Sequence, residues 1–337
     1  MVNDENMEAV ISEIAGLDDD QISPTLYDTY SENLRKAVDQ VFRRDNNSGM
    51  SDQLRANVSR FAAYKAMNIT KEVRGELGND LDKAAHILRT ANRTQATEYN
   101  TTISRCRTAK QFEQFNSPDN LRLFPNLRWL PSRSADPREA HMLFYNKVWA
   151  KDDDFWNENS PGSLWNCKCD WEETDDPVTS GNPHENKSAQ GLTGNPATTG
   201  EVFSNNHTYI ADRTIDEDFP VIIKTMRKSL LSFGKTQLRG MMVKNRMSNI
   251  VIKLSTSGIK EYIDQPHQFY VEKNELLRRL PELLKTAEYL NRTSWKGRET
   301  HVFKTLVHGQ ENYLLVNKQD DGIYYFHSIT DSEKVLK

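Results

Sequence analysis

Long apolar runs are missing from this chain. No stretch approaches the roughly 18 consecutive apolar residues that span a bilayer, so no membrane helix and no membrane partner are expected. An export signal is missing too. The first residues are acidic (Asp4, Glu5, Glu8), with no basic start and no apolar core. Cysteine is scarce, three in 337 residues, and two of them stand one residue apart. That excludes a disulfide framework and points to the cytosol of a producing cell. No internal repeat is evident. The C-terminal third lacks an acidic cluster of the kind that holds catalytic divalent ions, which weighs against a metal-dependent nuclease there.

What is present is a polar composition, 36% hydrophobic and 27% charged, in a chain long enough for two or three domains. The net charge of −4 hides an asymmetry. Residues 219–337 hold 20 Lys and Arg against 12 Asp and Glu, a net of +8, which leaves −12 for residues 1–218. A basic third on an acidic body fits a polyanion partner, RNA or packaged DNA, for that third.

The spacing predicts helices through residues 1–115. Leu26, Tyr30, Leu34, Ala37, Val38 and Val41 recur at helical intervals; Leu54, Val58, Phe61 and Ala62 form a second stripe behind a Ser51 cap. A third helix is expected from Leu81 to Phe112, with Cys106 as a small buried thiol. Residues 116–171 have little periodicity but hold tryptophans, His141 and the Cys167-x-Cys169 pair. They are expected to form an irregular unit packed by side chains. Residues 172–218 carry 10 acids against 2 bases, and the first half of the segment reads as a loop. In the last third, Asn249–Ser255 reads as a short strand and Asn274–Leu290 as one amphipathic helix. Segments at 300–308, 312–317 and 322–329 read as strands, with Gly309 and Asp321-Gly322 as turns. The fold class expected is α+β: a mainly helical N-terminal region to about residue 215, then a small domain over 219–337 with an antiparallel sheet packed on a helix.

Two constellations carry chemistry. His141, Cys167, Cys169 and His207 offer the imidazoles and thiolates of a tetrahedral zinc site, although Cys-x-Cys is closer than the usual spacing; the alternative is a packed irregular core. In the basic third, His267, His301, His308 and His327, with Lys273, Arg298, Lys304, Ser328 and Thr330 nearby, supply the groups that RNA cleavage without metal requires. A base takes the 2′-hydroxyl proton, an acid protonates the leaving oxygen, and cations steady the phosphorane-like state. No cofactor is expected for that reaction. Alternation puts His301, Phe303 and Thr305 on one strand face, and Tyr324, Phe326, Ser328 and Thr330 on one face of the last strand.

Asp136, Arg138, His141, Phe155, Trp156, Pro161, Trp165, Cys167 and Cys169 closely resemble the signature of phage Mu F-like minor head proteins, the portal-associated head morphogenesis family. The resemblance runs over roughly residues 25–212. It includes Asn57–Phe61, Ala96–Asn100, Leu192–Pro196, Gly200–Phe203, His207 and Tyr209. Residues 249–331 resemble the phage members of the barnase/EndoU/colicin/RelE-like nucleases, through Ile259–Ile263, Gln265-Pro266-His267, Lys273–Leu277, the 312–316 strand and His327-Ser328-Ile329. Together these resemblances imply a minor head protein carrying a ribonuclease-like effector, with His267, Lys273, His301, Ser328 and Lys304 as its site residues. Its partners would be the portal and other head proteins, host RNA or tRNA, and an immunity protein. It would reside in the virion and then in the host cytoplasm. The competing expectation is a purely structural head protein whose basic third binds DNA or another head protein.

Overall fold

The computed structural model describes residues 4–43, 49–211, 215–295 and 297–336. The class is α+β, with helices leading and a sheet domain closing the chain. Contacts divide it into two compact units, Met1–Asn46 with Gln53–Ile222, and Asn47–Asp52 with Ile223–Lys337. No helix among the described residues is long and apolar enough to cross a membrane.

The first unit is built on α1 (Asp4–Ala15), α2 (Pro24–Phe42), α3 (Gly49–Glu76) and α4 (Leu81–Phe115). Local signals start α2 and α4. The Ser23 hydroxyl accepts the Leu26 N–H ahead of α2, with Pro24 in the first turn, and the Asp80 carboxylate accepts the Lys83 N–H ahead of α4. The expected stripe of α2 is buried at Leu26, Tyr30, Leu34, Ala37 and Val38. Between α3 and α4 the Lys65 ammonium is fully buried and donates to both Glu98 oxygens at 2.7 Å, to Thr94 Oγ1 and to the Ala91 carbonyl. A charge taken out of water is tolerated only with such complete pairing.

After α4 come α5 (Pro118–Leu123), β1 (Asn126–Leu130), α6 (Glu139–Met142), β2 (Val148–Ala150), α7 (Phe155–Glu158), β3 (Asp170–Thr174) and α8 (Pro196–Thr199). The segment expected to be irregular therefore contains an antiparallel sheet in the order β2-β1-β3. Strands of three to five residues are too short for alternation to stand out in the sequence. Trp129, Phe144, Trp149, Phe155, Trp156 and Trp171 fill its core, Trp149 stacking on Phe155 at 4.0 Å.

The chain from Gly191 to Tyr209 has only one short helix, so side chains of α3 and α4 satisfy its backbone. The Asn57 carboxamide accepts from the Val202 and Phe203 N–H groups at 2.9 Å and donates to the Phe203 carbonyl at 3.0 Å. The fully buried Arg105 donates to the carbonyls of Leu192, Gly194 and Glu201. Phe61 stacks on Phe203 at 4.0 Å. The helical and C-terminal segments singled out in the first resemblance thus meet in space.

The second unit begins within α9 (Ile215–Phe233), which passes into a π-helical turn at Gly234–Leu238. It continues through β4 (Met242–Lys244), β5 (Val251–Lys253), α10 (Thr256–Asp264), α11 (Tyr270–Glu275), a 3₁₀ turn (Leu276–Arg279), α12 (Leu280–Thr286), β6 (Glu288–Trp295), β7 (Arg298–Val307), β8 (Gln310–Lys318) and β9 (Tyr324–Thr330). The sheet order is β4-β5-β9-β8-β7-β6, antiparallel except for β5 beside β9. Its main core packs the helices on Phe303, Leu314, Val316, Phe326 and Ile329; Val302, Tyr313, Leu315 and Val335 form a smaller cluster. The single helix expected over 274–290 is instead three short pieces and the start of a strand. Pro281 lacks an N–H and crowds the turn before it, so it stands in the first turn of α12 after the 3₁₀ turn, and Tyr289 and Leu290 belong to β6.

Asn57→Ala removes one acceptor and one donor and strands buried backbone groups. It should lower first-unit stability by about 2–4 kcal/mol, read as a lower urea midpoint with α3 helicity retained.

Candidate functional sites

His141, Cys167 and Cys169 come together in the first unit, their candidate ligand atoms all within 4.8 Å of one another. His141 sits on α6, and the two cysteines lie on the turn that leads into β3. Its Nδ1 faces both sulfurs, 3.5 Å from Cys167 Sγ and 3.7 Å from Cys169 Sγ, while Nε2 meets Ser163 Oγ at 3.2 Å. Helix α4 fixes the cysteine turn: Thr101 Oγ1 accepts the Asn166 N–H and Ser104 Oγ donates to the Cys167 carbonyl. Of the two thiols Cys167 ionises first. Hydrogen bonds from Cys169 and from His141 lower its pKa, and Cys167 in turn raises that of Cys169. A cavity of about 830 Å³ opens beside the cysteines, bordered by Arg107, Asp136, Arg138 and Asn166.

His207, expected as the fourth ligand, is not in this group. Its Nδ1 accepts the Tyr209 N–H, and its ring lies edge-on to Phe61 and Trp165. Cys106 is fully buried, and burial pushes its thiol up to about 12, as suits a packing residue.

The five candidates of the basic third are spread through the second unit. Lys273 is fully buried and ties the end of α10, donating to the carbonyls of Tyr262 at 2.6 Å and Gln265 at 2.7 Å; burial pushes its pKa down to about 7. His267 uses both ring nitrogens, Nδ1 accepting from the Phe269 N–H and Nε2 bonded to Asn312 Oδ1 at 2.9 Å. His301 bonds Tyr289 Oη and Glu299. His301 pairs with Val316, and His267 is bonded to Asn312, four residues away along β8, about 13 Å at strand rise. Ser328 pairs with Leu315, and Lys304 with Tyr313, so both face away from the helices. The shared face expected for Tyr324, Phe326, Ser328 and Thr330 is broken by a bulge. Val316 pairs with Phe326 but Leu315 with Ser328, leaving His327 as the extra residue.

That bulge helps to shape a cleft the sequence reading did not assemble. Strand β5 covers only Tyr324 and Tyr325 of β9. From Phe326 onward the first turn of α10 lies against β9, so closely that a Cβ on Gly258 would stand 2.1 Å from the Phe326 carbonyl oxygen. The cleft has a volume of about 570 Å³ and is lined by Ser257, Glu261, Arg298, Tyr325 and His327 among others. It gathers a carboxylate, an imidazole, a guanidinium and hydroxyls, which is the set a metal-free phosphodiester transfer requires. His327 and Glu261 lie in stretches that carry the second resemblance, and Arg298 stands among the basic residues of this third. Spacing alone did not bring Glu261 and Arg298 to one cavity, because α10 reaches these strands only through the parallel placement of β5 beside β9.

Residues 223–325 match the family model of large polyvalent protein-associated domain 3, which points to a phage-associated protein. No curated protein and no solved structure gives a significant match.

Burial, then the nearby Lys65 ammonium, lowers the pKa of His207 from 6.5 to about 4. The unfolded chain therefore takes up a proton that the folded ring refuses. The resulting contribution to stability is complete above about pH 6.5 and is lost as pH falls towards 4. In His207→Gln the difference in urea midpoint between about pH 7 and about pH 4.5 should shrink.

Proposed function

We propose that this chain is a phage head-morphogenesis protein of the Mu F-like kind, and that its C-terminal unit cleaves RNA in the cleft between α10 and β9. The phage-associated match over residues 223–325 supports the phage setting, and the signature residues of the first unit support the head role. The cleft carries the enzymatic half, since it places Glu261, His327 and Arg298 around one cavity in the basic part of the chain.

The reaction would run without a cofactor. Glu261 takes the proton of the ribose 2′-hydroxyl as that oxygen attacks the adjacent phosphorus. Protonated His327 gives its proton to the departing 5′ oxygen, and Arg298 steadies the extra negative charge on the phosphorane-like state. The products are a 2′,3′-cyclic phosphate and a free 5′-hydroxyl. In the phage setting the protein would lie near the portal inside the capsid, would contact portal and head proteins, and would enter the host cytoplasm with the genome. Host RNA such as tRNA would be the substrate, and a producing cell would need an immunity protein.

Asp320 and Asp321 also line the cleft and repel an RNA phosphate from it, which favours a second reading: the basic third binds DNA or a head protein on another surface, without catalysis. Full-length protein incubated with tRNA, without added magnesium or calcium, separates the two. Cleavage leaving cyclic phosphate ends, reduced about 100-fold or more by His327→Ala and by Glu261→Gln, is expected. Intact RNA together with steeply salt-dependent DNA binding would support the second reading.

A further inference from the structure

We propose that the first unit binds one zinc ion through His141 Nδ1, Cys167 Sγ and Cys169 Sγ, with the fourth coordination position open to the cavity beside them. Zinc held by thiolate and imidazole has Zn–S near 2.3 Å and Zn–N near 2.0 Å, so each sulfur–nitrogen edge of a tetrahedron measures about 3.5 Å. The two edges here are 3.5 and 3.7 Å, and the whole group fits within 4.8 Å. The imidazole is already turned for this task. Nδ1 faces both sulfurs, and Nε2 is held by Ser163 Oγ at 3.2 Å, the outer hydrogen bond that fixes the ring of a metal-bound histidine.

The surroundings call for negative charge on sulfur. Trp129 Nε1 and Tyr145 Oη are buried with no close oxygen or nitrogen acceptor, and both are directed at Cys169. A zinc-bound thiolate gives these two donors an acceptor, which a neutral thiol does poorly. Trp129 also packs edge-on against His141 at 4.9 Å, which holds the ring in place.

Three protein ligands leave one position, and its direction follows from burial. His141 is fully buried, whereas Cys167 and Cys169 border the 830 Å³ cavity. His207, which would have closed the site, is committed to Tyr209 and the aromatic rings around it. The open position therefore accepts an exchangeable ligand, and Arg107 and Arg138 on the cavity wall favour an anionic or carboxylate-bearing one. An open site with three protein ligands is the arrangement of zinc that binds water or substrate, as opposed to a closed structural centre.

The test uses the full chain, purified without chelator. About one equivalent of zinc per chain is expected, falling to background in the double variant Cys167→Ser, Cys169→Ser and retained in Cys106→Ser and His207→Gln. Unmodified protein with cobalt(II) in place of zinc should show thiolate-to-metal charge transfer, and added imidazole should shift its ligand-field bands by entering the open position. Protein that carries no zinc and binds no cobalt(II) at micromolar concentration would overturn the site. So would undiminished zinc in the double variant. Bands that ignore imidazole would overturn the open position. The cobalt experiment needs no variant, so misfolding of a substituted chain cannot mask the answer.

Discussion

Arg105 is the pivot on which the first unit turns. Its guanidinium is fully buried in α4 and donates through Nη1 and Nη2 to the carbonyls of Leu192, Gly194 and Glu201. The segment it holds has almost no regular structure, so its buried carbonyls have no ladder to satisfy them. Burial lowers the Arg105 pKa to about 10, which still leaves it charged near neutrality. Neighbouring positions on the same helix extend the scheme. Thr108 donates to the Pro161 carbonyl, Ser104 to that of Cys167, and Thr101 accepts from the Asn166 N–H. One polar face of α4 thus positions the tail, the Pro161–Gly162 turn and the cysteine turn together. A hydrophobic face could pack against these segments but could not fix their register, and the His141–Cys167–Cys169 geometry depends on that register.

The second unit obeys a different constraint. Its candidate cleft exists because β5 is short, β9 carries a bulge at His327, and Gly258 lets α10 approach the β9 backbone. Each feature alone is ordinary. Together they leave an edge of β9 faced by the first turn of α10, in a cleft that Arg298 also lines. Asp320 and Asp321 at the rim carry the opposite charge.

Much of the fold was legible in the sequence. The stripe of α2 followed from helical spacing, whereas Ser51, read as the cap of the next helix, lies inside α3. Strands β7, β8 and β9 followed from alternation and glycine turns. Strands β1–β3 did not, because a three- to five-residue strand holding a tryptophan gives no period. Strand β6 was hidden because Leu280, Leu283, Leu284 and Ala287 carry the helical pattern of α12 up to the residue before it. At the level of sites, His141 could be grouped with the cysteines by chemistry alone. His207 shares that chemistry but is drawn off by Phe61, Trp165 and the Tyr209 N–H, contacts that spacing cannot reveal. The five candidates of the basic third failed to converge for a related reason: pairing register and a bulge, not residue type, decide which face a strand residue occupies.

The measurement that bears most directly on this account is hydrogen–deuterium exchange of the full chain beside Arg105→Lys. Lysine keeps the charge but cannot span three carbonyls with a planar fork. If α4 is the template, protection should fall over residues 189–205 and around Cys167 and Cys169, while α3 and α4 stay protected. Unchanged exchange in those segments would contradict the claim that the polar face of α4 holds the tail and the cysteine turn in place.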